Sequence, residues 1–213
     1  MKMSVVANRD SAGAAGNFVA PIEGMSSNAF KSVMDIDVLG TFNTIKATMP
    51  HLLRSSNPRI IYVSATFHYT GMPLQAHVSA AKASIDSLMA SVALEYGPRG
   101  VTSNVIAPGG IEGTEGLARL GSEEAPERRH YMKGIPSGRL GTVRDIADAT
   151  VFLFSEAGSY VNGQVLAVDG AAWRRQGAIS VGIDVNMEYP DYLLKGEFSQ
   201  NLRDPRKNGK AKL

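Results

Sequence analysis

The stretch QAHVSAAKASIDSL, Gln75 to Leu88, reads as a helix that sets one lysine, Lys82, among small residues and places Val78 one turn before it. Residues four apart share a helix face, so position 78 opens onto whatever Lys82 serves. An ammonium group donates up to three hydrogen bonds and favours a nearby negative charge, whereas a valine neither gives nor takes a proton. Asp37 is the second group capable of chemistry. It follows Val33 and Met34 by four and three residues and precedes Thr41 by four, which puts a carboxylate on the inward stripe of an otherwise apolar helix. Such a residue is either an acid held for proton transfer or a half-exposed helix carboxylate paired with a lysine. A third feature is APGGIEGTEG, Ala107 to Gly116, which follows a β-rich run at the strand end where open α/β sheets place ligands. Pro-Gly-Gly alone is also ordinary turn chemistry.

Regular elements must position these groups. Residues 26–56 offer Ser26 or Ser27 as N-cap, then Phe30, Val33, Met34, Thr41 and Ile45 at helical spacing, which predicts a long amphipathic helix. RIIYVSA, from Arg59, has the composition of a short buried strand, and the helix opened by Gln75 continues to Tyr96, where Gly97 and Pro98 stop it. VTSNVIAPGG, from Val101, predicts another strand; TVRDIADATVFLFS, from Thr142, a helix with Asp145 in its first turn; and QVLAVDG, from Gln164, a last strand. The charged stretch from Glu112 to Lys133 reads as a mobile helical excursion. Strands separated by long helices imply right-handed crossovers and a parallel sheet.

Composition narrows the function. A chain of 213 residues with 44 % hydrophobic content has the size of one globular domain and can bury a substantial core. A net charge of +2, without a long block of like charges, argues against nucleic acid as a partner. The absence of cysteine excludes disulfides and thiolate metal sites, and four scattered histidines with no paired spacing argue against any metal site. No apolar run reaches the length a membrane span needs.

NVIAPGG, GRLGTVRDIA, SYVNGQVLAVDG and the Lys82 helix, in this order and spacing, resemble the C-terminal two thirds of the short-chain dehydrogenase/reductase family. Within that family AAGNF, SSNAFKSVMDIDVLGTFN and PGGIEGTEGLARLG look closest to the peroxisomal 2,4-dienoyl-CoA reductases, over residues 12–173 and again at the tail. The resemblance implies an α/β fold: a Rossmann-like parallel sheet with flanking helices, N-terminally truncated so that it holds strands four to seven of the family fold. The strand, Gly-x-x-x-Gly-x-Gly turn, helix and further strands that bind the adenosine half of the cofactor in the family have no counterpart in MKMSVVANRDSAG. That opening segment also fits the expected fourth strand poorly, and the edge beside it is expected to be uncovered. Residues 1–173 are accordingly expected to form a partial Rossmann-like domain and residues 174–213 a C-terminal extension.

The function so implied is NADPH-dependent reduction of 2,4-dienoyl-CoA to 3-enoyl-CoA in the β-oxidation of unsaturated fatty acids. A non-catalytic remnant or subunit that keeps the dimer helices, or another short-chain reductase, is the alternative. Most of the family reduces carbonyls with Tyr-x-x-x-Lys, and the tyrosine position here is Val78; the family's serine falls at or beside Ala65, leaving Ser64 or Thr66 as partial stand-ins. Reducing a conjugated carbon–carbon double bond asks for hydrogen bonds to the thioester oxygen and a proton on carbon, so the phenol is dispensable. The resemblance makes Asp37, where most members carry asparagine, the residue that positions or protonates the water, in a buried setting expected to hold few counter-charges. Lys82 would donate to the nicotinamide ribose hydroxyls, while Pro108, Gly109, Gly110, Ile111 and Thr114 bracket the nicotinamide amide and the pyrophosphate. Phe18, Ser26, Ser27 and Asn28 match acyl-CoA contacts, with N-capping an equal account of Ser26 and Ser27, and Arg119 matches a position that meets the CoA phosphates. The small-residue face of the Lys82 helix also suits packing against a twin, so a homo-oligomer is expected. Ala211-Lys212-Leu213 is a conservative variant of the Ser-Lys-Leu peroxisomal address, read by an import receptor; a frayed basic tail is the other reading.

Overall fold

The structure, a computed structural model, describes residues 9–12, 17–114, 117 and 134–177. Four parallel strands, β1 (Arg9–Ala12), β2 (Arg59–Val63), β3 (Thr102–Pro108) and β4 (Val165–Val168), lie side by side in chain order. Arg59 is in register with Arg9 on one side and Thr102 on the other, and Val105 with Val165. Each crossover carries a helix: α1 (Ser27–Met34) and α2 (Gly40–Leu52) between β1 and β2, α3 (Ala76–Tyr96) between β2 and β3, and α4 (Val143–Phe154) between β3 and β4. The expected parallel sheet with flanking helices is therefore present. The opening segment pairs better than its side chains suggest, because Arg9–Ala12 joins β2 through main-chain hydrogen bonds that side-chain type does not govern. Among the described residues β2 is its only strand partner.

Alternation along the strands divides the core into two layers. Ile60 and Tyr62 of β2, with Val105 and Ala107 of β3, face Ile45, Met49 and Leu52 of α2 and Ile85, Met89 and Val92 of α3. Ile61 and Ile106 face the other way, onto Leu153 of α4, Ile146 and Leu166. Asn104 and Asn162 stitch the approach to β4 onto β3: Asn104 Nδ2 donates to the Val161 carbonyl at 2.8 Å, and Asn162 Oδ1 accepts from the Ser103 N–H at 2.8 Å.

Helix ends follow their sequence signals. Ser26 is the N-cap of α1, its hydroxyl accepting from the Ala29 N–H at 3.2 Å. Thr142 and Asp145 form a reciprocal capping box at α4. Arg139 hydrogen-bonds the same Asp145 carboxylate and, with Thr142, holds its carboxyl well below the usual carboxylate range. Between α1 and α2 the chain does not break but widens into a π turn, Asp35–Leu39. Val33 and Thr41 are 2 % and 3 % exposed, whereas Phe30, expected on the same stripe, is 37 % exposed. Among the described residues no helix is long and apolar enough to cross a membrane.

Candidate active site

The site forms where β2 and β3 end and α1, the π turn and α3 pass over them. Lys82, on the second turn of α3, is 6 % exposed and points toward the end of β2, where its Nζ donates to the Val63 carbonyl at 3.3 Å. The same nitrogen lies 3.3 Å from Oδ2 of Asp37, a residue with no solvent exposure. The expected setting of few counter-charges is thus corrected: Asp37 is buried as predicted, but against the ammonium of Lys82. The π turn is what presents Asp37 here, as the buried residue of that turn. Two residues 45 positions apart share one buried ion pair, which is held only where its remaining polar atoms find partners.

Val78 is 3 % exposed and packs with Val33 and Ala81, flanked by Phe18, Met34, Val38 and Phe67. The place one turn before the lysine is therefore filled with apolar surface. Of the two candidate stand-in hydroxyls, Ser64 Oγ is shared between the Lys82 carbonyl at 3.4 Å and the Asp86 carboxylate, and Thr66 Oγ1 donates to the Pro108 carbonyl at 3.5 Å.

That last contact ties the end of β2 to the loop leaving β3. The Gly109 N–H donates to the Val168 carbonyl at 3.1 Å, and a Cβ on Gly109 would stand 2.6 Å from the Asp169 Cβ, so only glycine allows the two chains this close. Gly110 accepts from the Gly141 N–H at 3.0 Å, Ile111 is 7 % exposed, and Thr114 Oγ1 donates back to the Ile111 carbonyl at 2.8 Å. Lys82, Pro108, Gly109, Gly110 and Ile111 thus converge on the carboxyl ends of adjacent strands, with Thr114 closing the turn. Phe18 joins them through the Val78 cluster. Ser27 and Asn28 are exposed at the start of α1, and Ser26 is occupied as its cap. Arg119 and the Ala211-Lys212-Leu213 tail lie outside the described residues.

A family model described as Enoyl-(Acyl carrier protein) reductase matches residues 5–171. The chain belongs to the short-chain dehydrogenase/reductase family. It is 51 % identical over 190 residues to the peroxisomal 2,4-dienoyl-CoA reductase [(3E)-enoyl-CoA-producing] of Saccharomyces cerevisiae, covering 89 % of this chain and 62 % of that protein. To the enzyme of the same description from Rattus norvegicus it is 44 % identical, over 75 % of this chain and 54 % of that one. Among solved structures, a gluconate 5-dehydrogenase from Burkholderia cenocepacia in complex with NADP and tartrate superposes with a TM-score of 0.73 at 28 % identity, covering 78 % of this chain and 64 % of that one. The chain therefore spans less than two thirds of the length of these curated relatives.

Three buried or part-buried polar groups of this short-chain dehydrogenase/reductase family member escaped the sequence reading. Gln75 and His77, 1 % and 0 % exposed, enclose Phe18 at the start of α3. Asp86, one turn after Lys82, accepts from Tyr69 Oη and lies 2.9 Å from His68 Nε2. Burial favours the neutral acid at Asp86, but the hydrogen bonds from His68, Tyr69 and Ser64 outweigh it and hold the carboxyl below its usual range. The same carboxylate and burial push the Tyr69 phenol far up. Polar residues near Val78 and Lys82 were the available signal, but helical phase alone does not say that Gln75 and His77 turn toward a loop nearly sixty residues upstream.

Proposed function

We propose that this chain carries the proton-handling and acyl-binding side of an NADPH-dependent 2,4-dienoyl-CoA reductase that forms 3-enoyl-CoA. The observation that carries the reading is the buried Asp37–Lys82 pair beside an apolar position 78. A carbonyl reductase needs a phenol to protonate an alkoxide, and here that position offers only methyl groups. Reduction of a conjugated thioester has no such need.

The donor set fits a nicotinamide nucleotide. An ammonium has three protons to donate; Lys82 gives one to the Val63 carbonyl and pairs its charge with Asp37, which leaves donor capacity for a ribose hydroxyl. Pro108 to Ile111 and Thr114 would hold the nicotinamide end. When bound, the nicotinamide supplies a hydride to the far end of the diene. The electron pair moves toward the thioester oxygen, where the charge of Lys82 favours it. Asp37, the carboxylate paired with Lys82, orients a water that delivers the proton to carbon and is reprotonated from solvent, so the sum is dienoyl-CoA, NADPH and one proton giving 3-enoyl-CoA and NADP. Phe18 forms the apolar wall for the acyl group, Ser26, Ser27 and Asn28 lie at the helix start toward the thioester, and Arg119 serves the CoA phosphates.

The peroxisome is the proposed compartment, supported by Ala211-Lys212-Leu213 and by relatives described as peroxisomal. A homo-oligomer is the proposed assembly, supported by Leu39, Phe42 and Leu94, which stay 50 %, 47 % and 80 % exposed on the π turn, α2 and α3. The test is the loss of dienoyl absorbance on mixing the whole protein with 2,4-hexadienoyl-CoA and NADPH. Consumption of both with formation of 3-enoyl-CoA supports the reading; reduction of ketones in place of dienoyl-CoA overturns it.

A further inference from the structure

Phe18 is held by two independent contacts from the start of α3. Gln75 Nε2 donates to the Phe18 carbonyl at 2.9 Å and to the Leu74 carbonyl at 3.2 Å, so both protons of a side chain only 1 % exposed are committed to this junction. The Leu74 carbonyl also accepts from the Ala20 N–H at 3.1 Å, which closes the loop of Phe18 onto the loop before α3. On the other side of the junction the His77 imidazole stacks on the Phe18 ring, centroids 4.1 Å apart and planes 28° from parallel.

Two features mark this arrangement as more than packing. Leu74 has φ of 65°, a left-handed conformation that a leucine tolerates only where its surroundings impose it, and such strain gathers at ligand clamps. His77 is fully buried, and among the described residues the polar group its ring meets is the Phe18 backbone, with no side-chain partner for either nitrogen. The imidazole lies with its flat face on the Phe18 ring. That face supports a phenyl ring that stays partly open on the wall shared with Val78 and Ala81.

We infer that Gln75 and His77 are positioning residues which fix Phe18 as one wall of a slot for a flat, conjugated acyl group. The slot selects a planar dienoyl thioester over a kinked saturated chain, because a ring that cannot rotate away stacks well only on a flat partner. The inference rests on the reductase reading, deepening its substrate side.

The test compares binding of 2,4-hexadienoyl-CoA, hexanoyl-CoA and free CoA to the whole protein and to His77→Ala, His77→Phe and Gln75→Leu, with turnover measured in parallel. His77→Ala and Gln75→Leu should raise the KM and Kd for hexadienoyl-CoA by about two- to tenfold, the worth of one aromatic stack. Their kcat and their affinity for free CoA should stay within twofold, and the preference for hexadienoyl over hexanoyl should shrink. His77→Phe, which keeps the stack without the ring nitrogens, should bind hexadienoyl-CoA like the parent, and it keeps the comparison decisive even if His77→Ala unfolds. An unchanged preference in both His77→Ala and Gln75→Leu, or a loss in His77→Phe as large as in His77→Ala, overturns the inference while the reductase reading stands. Failure of the parent protein to bind hexadienoyl-CoA at all overturns both.

Discussion

The Lys82 ammonium stands 3.3 Å from the Asp37 carboxylate, and both side chains are buried. Removing one partner leaves the other as an uncompensated buried charge, which typically costs about 3–5 kcal/mol, whereas removing both costs far less. Lys82→Met alone should therefore lower the urea midpoint of unfolding sharply. The double change Lys82→Met with Asp37→Asn should recover most of it. Equal midpoints for the single and double variants would mean that the pair is not coupled.

Val78 is enclosed by Val33, Ala81 and Phe18. Val78→Tyr restores the phenol that carbonyl reductases use, but in this cluster it overpacks, at a cost of about 1–3 kcal/mol. The expected outcome is a lower midpoint, weaker dienoyl-CoA turnover and no ketone reduction. Ketone reduction gained by this change would show that the site is built for carbonyls.

Burial lowers the His77 pKa from its ordinary 6.5, against smaller opposing effects of the Phe18 backbone and Asp37. The unfolded chain then binds the proton more readily than the folded one. The resulting stability is fully present above about pH 6.5 and is lost as pH falls toward the lower folded value. His77→Phe should flatten the stability profile as pH falls below about 6.5, until at about pH 4 Asp86 and Asp145, both held low, take over as the carboxylates whose protonation destabilises the fold. Parallel profiles for parent and variant would remove His77 from the acid limb.

The last residues, Ala211-Lys212-Leu213, should direct a fluorescent protein carrying the final dozen residues to punctate peroxisomes, and removing Leu213 should make the signal diffuse. A diffuse signal from the intact tail would make it an unread basic end.

The strands and helices were largely legible because their signals are local. Ile60, Ile61 and Tyr62 form an apolar run that is buried in β2, and Thr142 with Asp145 spells its own cap. Asp37 and Lys82 were each visible as unusual residues on apolar faces, but their pairing was not, because it depends on how a π turn lays one helix across another 45 residues on. Phe30 shows the same limit in reverse: helical spacing put it on the stripe of Val33, but near the start of α1 it stays 37 % exposed. Gln75 and His77 were silent because a helix start says which residues cap and which repeat, not which loop lies against them. Gly109 was legible as a turn glycine of the loop that resembles a cofactor-bracketing one, but its 2.6 Å approach to Asp169, sixty residues later, was not.

The central claim is that Asp37 handles the proton in a dienoyl-CoA reduction. It is tested most directly by the turnover of 2,4-hexadienoyl-CoA at saturating substrate and NADPH in Asp37→Asn, followed by loss of dienoyl absorbance. The account predicts a fall of roughly 100- to 10,000-fold, the range expected when a general acid is lost, with hexadienoyl-CoA affinity nearly unchanged. Turnover equal to that of the parent would contradict it and return Asp37 to the role of a buried structural partner of Lys82.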